Sequence, residues 1–496
     1  MFPASRTLLA LALLVLPFAA IEQSHMEHAP PQKLGDVSFP TSCQPAVEPD
    51  FDRAVALLHS FAYSAARDAF QSVASRDPAC AMAHWGIAMS HFHQLWDPPL
   101  YPSSESAARR EIELSRSMKP ATDRERRFIL AAASLFSDPA VAYSTRALNY
   151  EQSMHDLAAD YPRDLEAQTF YALVLISNAS LTDKTHARQK QAAHILEPLF
   201  RDHLQHPGIA HYLIHAYDNA ELASRGLPAA RAYSTIAASA PHALHMPSHI
   251  FTRLGLWEDS IASNIAAREA AHRAGDLGEE LHAMDYLVYA YLQAGRDADA
   301  AQVIEQLHSM PNLDSEDFKV GYAATTMPVR YAVERRQWAD AALLVPPAKA
   351  PPHVIAIAVW AQGLGLAHTG RAAGARNSID NLQRLEQQLR EAENDYWATQ
   401  VEILKQEVAA WCAREDHNDG EAERLMRQAA DQEDSIEKRP VTPGPIVPAR
   451  EQLGEMLLEQ GHPELAAVEF HSSLANAPAR RNALRGAAES ARATPQ

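Results

Sequence analysis

Positive charge, cysteine and long apolar runs are all scarce in this 496-residue chain. Lysine and arginine total 44 against 62 aspartate and glutamate, a formal net charge of −18. No basic footprint exists for a nucleic-acid backbone or an anionic membrane surface, and nucleic acid is excluded as an expected partner. Cys43, Cys80 and Cys412 are too few for disulfides to frame a chain of this length. Cys43 and Cys80 are available to pair, and three isolated small apolar residues are an equal reading. The apolar run Leu8–Leu16 is far short of the ~20 residues a spanning helix needs, so no stable membrane span is expected. No P-loop, dinucleotide glycine fingerprint or nucleophile elbow is present, and "GLGLAHTG" fails the spacing of each. In "HYLIH" a tyrosine stands where a zinc-protease helix carries its glutamate base.

What is present begins with "MFPASRTLLALALLVLPFAA", which reads as a signal peptide over residues 1–20: one arginine, a short apolar stretch, then Pro17 and small residues. It implies a periplasmic or secreted protein, with an uncleaved anchor as the lesser reading. Residues 21–50 are proline-rich and aperiodic and are expected to form an extended lead-in.

From 51 to 496 the chain reads as a repeat array. Ala66, Phe70 and Pro78 recur as Ala466, Phe470 and Pro478 at identical offsets, and "QLGEMLLEQG" supplies Gly454, Leu457 and Gly461 ahead of the second set. Small residues at Gly454 and Ala466 let two helices approach closely, while Leu457 and Phe470 fill the seam. The unit is a helical hairpin of about 34 residues, and weaker copies around Gly255, Gly295, Trp338 and Gly370 extend it to about ten hairpins. This pattern resembles the tetratricopeptide repeat. The resemblance implies an all-α fold, a tetratricopeptide-like α-solenoid of stacked helical hairpins, and a concave groove that takes a protein or peptide partner. Proline-rich residues 440–448 must form a loop before the last hairpin. In "AHWGIAMSHFHQLW" the histidines and the tryptophans Trp85 and Trp96 are read as parts of a core helix, in preference to a cofactor box.

The chemistry concentrates in residues 206–290. His211 and His245 are 34 residues apart, as are His215 and His249, which equals the repeat length. Each pair is spaced i, i+4, so its two imidazoles share one helix face. His242 and Asp218 extend the two stripes, and the same count in a third hairpin reaches His282, Asp285 and Tyr289. A groove wall holding these residues suits a divalent transition metal, zinc, copper or iron, with Asp218 and Asp285 as ligands or orienters. His211, His215, His245 and His249 are expected as primary ligands, His242 and His282 as further ligands or acid–base groups, and Tyr289 as a proton carrier. His206 falls at a helix cap beside the site. Pro247 breaks helical rules inside the densest histidine cluster, as Pro328 does further on. The blocks "HPG..HY..H..D" and "PHA.HMPSHIF.RLG" are similar to those of a bacterial group of tetratricopeptide-repeat proteins, and that resemblance implies the fold but no particular reaction. The expectation is an exported protein with a metal-binding groove, its enzymatic character open. The alternative is an adaptor that holds a peptide in the groove without metal.

Overall fold

The computed structural model describes residues 32–95 and 101–494, so the expected signal peptide, the first part of the expected lead-in and Trp96 lie outside the described residues. Twenty-four α-helices and no strand occupy them, each helix packed against its neighbour in sequence. The protein is all-α, built of stacked helical hairpins. The repeat residues act as their sizes predict. Phe70 is fully buried against Gly86, where a Cβ would lie 2.4 Å from its ring, and Phe470 is clasped by Gly454 and Gly486. Burying such a phenylalanine stabilises the fold by about 1.5–3 kcal/mol. The twenty-four helices exceed the twenty of ten hairpins: eleven hairpins follow one another, one with only the four-residue Trp338–Ala341 as its second helix, a proline divides the first helix of another, and the single helix Arg481–Ala493 follows the last.

The extended lead-in is shorter than expected. A 3-10 turn at Pro45–Val47 passes into the helix Glu48–His59, because Pro49 sits in the first turn, where its missing N–H breaks no helical bond. Ahead of it the chain acts as a strap. Lys33 exchanges bonds with Ser239, and the Asp36 N–H donates to the Gln205 carbonyl. Phe39 is buried among Phe51, Trp85 and Phe128. Cys43 and Cys80 form a disulfide, and Cys412 is a buried free thiol.

The two mid-helix prolines behave differently. Pro328 leaves the helix Phe318–Glu334 continuous, whereas Pro247 divides its helix into Pro241–His245 and Pro247–Arg253, joined at Met246. The later part of the chain also packs back onto the middle. The Arg480 guanidinium donates to Glu334, Glu451 and the Tyr289 hydroxyl, and the Trp257 indole N–H donates to the Ala479 carbonyl. Gly255, at φ +67°, turns so tightly against this segment that a Cβ would lie 2.5 Å from the Pro478 carbonyl oxygen. The loop before the last hairpin is anchored as well: Glu437 N–H donates to Leu181, and Lys438 pairs with Asp218. Among the described residues no helix is long and apolar enough to cross a membrane.

Candidate metal centre

His211 and His215 lie one turn apart on the helix Pro207–Tyr217, which Pro207 starts and the His206 ring caps by accepting the Ile209 N–H. His242 and His245 share the five-residue helix Pro241–His245, His249 follows the break, and His282 stands on Leu277–Gln293. These six imidazoles form two groups of three. His211, His215 and His242 bring their ligand nitrogens within 4.8 Å of one another, and so do His245, His249 and His282. Each i, i+4 pair closes tightly, with Nε2 to Nε2 3.1 Å for His211 and His215 and 3.0 Å for His245 and His249. The 34-residue register thus places the two pairs as neighbours, but the third member of each group comes from the following hairpin.

For His211, His242, His245 and His249 the other ring nitrogen is fixed from behind, and its partner assigns the tautomer. His211 Nδ1–H donates to the His59 carbonyl at 2.6 Å, and His242 Nδ1–H to Glu279 at 3.1 Å. His245 Nδ1–H donates to Asn264 Oδ1 at 2.6 Å, an amide oriented by its own bond to the Ser260 carbonyl. His249 Nδ1–H donates to Asp218 at 2.9 Å. Burial pushes the Asp218 carboxyl up, but Lys438, Arg253 and His249 together hold it well below its ordinary value. Glu279, against the same burial, is held well below by Lys319 and His242. Both therefore accept as carboxylates. His245 and His249 consequently face each other through two unprotonated Nε2 lone pairs.

All six histidines are 6% exposed or less, so the expected open groove wall is instead buried. Its cover comes from distant segments. Phe61, in the left-handed region at φ 53°, stacks on His215 and His242 and meets His211 edge-on. Tyr286 packs on His245 and His249, and its hydroxyl donates to the Pro440 and Thr442 carbonyls of the proline-rich loop. Asp218 stands behind His249. Asp218 is spent on His249, Arg253 and Lys438, and Asp285 lies against Arg330, so neither belongs to the ligand groups. Tyr289, expected on the groove wall, turns to Arg480. Tyr286, three residues earlier, occupies the place by the imidazoles. Periodicity gave no sign of His59, Phe61, Asn264 or Lys438, and only Glu279 and Tyr286 had a local signal, three before and four after His282.

Behind the first group lies a satisfied polar chain. Glu166 accepts from His59 Nε2–H at 2.8 Å and from His206 Nε2–H at 2.9 Å, while Tyr212 donates to His59 Nδ1 at 2.8 Å. A Cβ on Gly208 would lie 2.4 Å from His59 Nδ1. Gly208→Ala is therefore expected to displace the His59 ring, shift its carbonyl from His211, and weaken metal at His211, His215 and His242 by roughly 10–100-fold, the usual effect of losing an orienting partner. Chelator competition should find the other group unaltered; equal affinities at both groups would refute the coupling.

Burial, the largest cause in each case, holds His211, His215, His245 and His282 well below the ordinary histidine value and pushes His249 down to about 4. The unfolded chain titrates near 6.5, so below that pH it takes up protons that the folded chain refuses. Stability then falls as pH drops from about 6.5 towards 4, by up to about 1.4 kcal/mol per unit for each such imidazole. Metal-free protein is expected to unfold cooperatively in that window. Thermal melts that do not change between pH 7.5 and 5 would contradict neutral buried rings.

No family model matches the chain, and no curated protein matches it. Solved helical-repeat structures do match. The APC/C hetero-tetramer Cut9–Hcn1 matches at 10% identity over 91% of this chain and 77% of that one, with a TM-score of 0.36. Yeast Tom70 matches at 11% identity over 89% and 87%, at 0.32. The TPR domain of P58(IPK) matches at 14% over 90% and 98%, at 0.23. Likeness at this level carries neither residue roles nor partners to this chain.

Proposed function

We propose that this chain is an exported metalloprotein whose six imidazoles hold two transition-metal ions, three nitrogens to each, as the centre of a metal-dependent enzyme. The observation that carries the reading is the 3.0 Å approach of His245 Nε2 to His249 Nε2 with both Nδ1 atoms already donating. Two buried lone pairs at that distance repel unless a cation lies between them. Two ligands at the ~2.0–2.1 Å bond length of a metal–imidazole contact, about a right angle apart, have this separation. Three imidazoles per ion leave a coordination position for a reactant, and the burial of the rings favours a small one. Neutral nitrogen ligands suit copper, zinc and iron, with copper first in intrinsic affinity. The Cys43–Cys80 disulfide and the N-terminal sequence support export to an oxidising compartment. An adaptor holding a peptide in a groove gains no support from imidazoles that a peptide would not reach.

The test is elemental mass spectrometry on the chain purified without chelator or an immobilised metal. About two ions per chain are expected. A folded chain that carries none and takes up none from added copper, zinc or iron salts would overturn the reading.

A further inference from the structure

Arg253 and Lys438, which hold Asp218 behind His249, also form part of the wall of a separate cavity of about 180 Å³. Tyr322, Trp360, Tyr396 and Trp397 line it with aromatic surface, and the proline-rich loop closes one side. The lining cations are already committed: Arg253 and Lys438 to Asp218, Lys184 to Glu437, and Arg450 to Asp434 and Glu469. Two lining carboxyls are not. Among the described residues neither Glu407 nor Glu433 is in an ion pair. Glu407 accepts only neutral partners such as the Trp360 indole N–H at 2.6 Å, and Glu433 accepts the Ala449 N–H at 2.9 Å. Burial, then the nearness of Glu433, pushes Glu407 well above the ordinary carboxyl value, and burial pushes Glu433 up to about 8. Two further lining groups have unmet hydrogen-bonding capacity. Ser473 Oγ and both ring nitrogens of His353 are buried without a partner, at 2% and 7% residue exposure.

We propose that this cavity binds a small organic cation, an ammonium group on an aromatic body, with the charge met by Glu407 and Glu433 and the body packed against the tryptophan and tyrosine rings. The volume suits one ring with a short arm, since a cavity of about 150 Å³ accommodates benzene. Aromatic faces attract a cation, and the attraction strengthens when water is excluded. An anion would meet two acids and no uncommitted base. A neutral aromatic would fill the space without engaging the two acids, whereas an ammonium supplies a counter-charge that draws one of the pair back to its ionised form.

The test uses the full chain at neutral pH and three probes of one shape: benzylamine, benzyl alcohol and benzoate. Binding is followed by calorimetry and by the fluorescence of Trp360 and Trp397. Benzylamine is expected to bind at least tenfold more tightly than benzyl alcohol, and benzoate not at all. Glu433→Gln should remove that preference and leave benzyl alcohol unchanged. Because glutamine imitates a protonated carboxyl, the fold should tolerate the change, and Glu407→Gln provides a second variant. The substitutions leave the imidazole cluster intact, so a preference lost in them belongs to the cavity and not to amine bound at a metal. No benzylamine binding at millimolar concentration, equal binding of amine and alcohol, or a preference that survives in both variants would each overturn the proposal.

Discussion

Replacing His245 and His249 together by alanine is expected to halve the metal content, from about two ions per chain to about one, while the helical signal in circular dichroism stays. The pair supplies two of the three nitrogens of one group, and one remaining imidazole, His282, does not retain an ion against buffer. The other group keeps its three ligands and its own orienting bonds to the His59 carbonyl and Glu279. Single orienter variants should do less. Asn264→Ala and Asp218→Asn each leave the nitrogen in place but free its ring, and a 10–100-fold loss of affinity is the usual consequence. A second readout concerns the metal-free protein. The facing lone pairs at 3.0 Å are a liability there, but the same rings supply the Nδ1–H donors to Asn264 and Asp218, so leucine at both positions should cost less than the sum of the two single replacements. With metal supplied, the parent should gain a further advantage, by RT ln(1 + [L]/Kd). If the double variant kept its metal and instead lost a protein partner, the metalloenzyme reading would fall and the adaptor would stand.

The contrast between what the sequence discloses and what it conceals follows from the range of each signal. The recurrence of Ala66, Phe70 and Pro78 at Ala466, Phe470 and Pro478 is local, because a hairpin's seam is made by residues a few turns apart, so the all-α hairpin architecture was legible. The i, i+4 pairs His211/His215 and His245/His249 were legible for the same reason. Periodicity names the face of a helix, however, and not what lies on it. His59 supplies its carbonyl to His211 across 152 residues, and Lys438 reaches Asp218 across 220. These contacts belong to the cover that buries the expected groove wall, and they assign Asp218 to positioning His249. The stripe containing Asp285 and Tyr289 failed similarly: the later chain delivers Arg480 to Tyr289, and Arg330 takes Asp285, so both residues serve the buried ion network.

That network gives the last large effect. Arg480→Met is expected to destabilise the protein by about 3–5 kcal/mol, the range for removing one partner of a buried ion pair, a sizeable part of the 5–15 kcal/mol that holds a typical domain. Arg480 is fully buried and donates to Glu451 at 2.8 Å, Glu334 at 2.8 Å and the Tyr289 hydroxyl at 3.1 Å. Methionine fills most of the volume but leaves two buried carboxyls facing each other without a cation. Burial, opposed mainly by Arg480, already raises Glu334, so the variant should be least stable where both acids must ionise and recover part of the loss when the pH is lowered by a unit or two from neutral. Adding Glu451→Gln to Arg480→Met should restore part of it at neutral pH by removing one of the stranded charges. The effect should also reach the metal centre. Glu334 and Tyr289 lie on Phe318–Glu334 and Leu277–Gln293, and the latter helix carries His282, so urea titration and metal content should decline together. A pure neighbour-stacked array predicts otherwise, because in it damage near Arg480 unfolds the last hairpins and spares the middle. Unfolding free energies from urea titration for Arg480→Met within about 1 kcal/mol of the parent, with metal intact, would show that the return of the C-terminal hairpins onto the middle of the array does not support the centre.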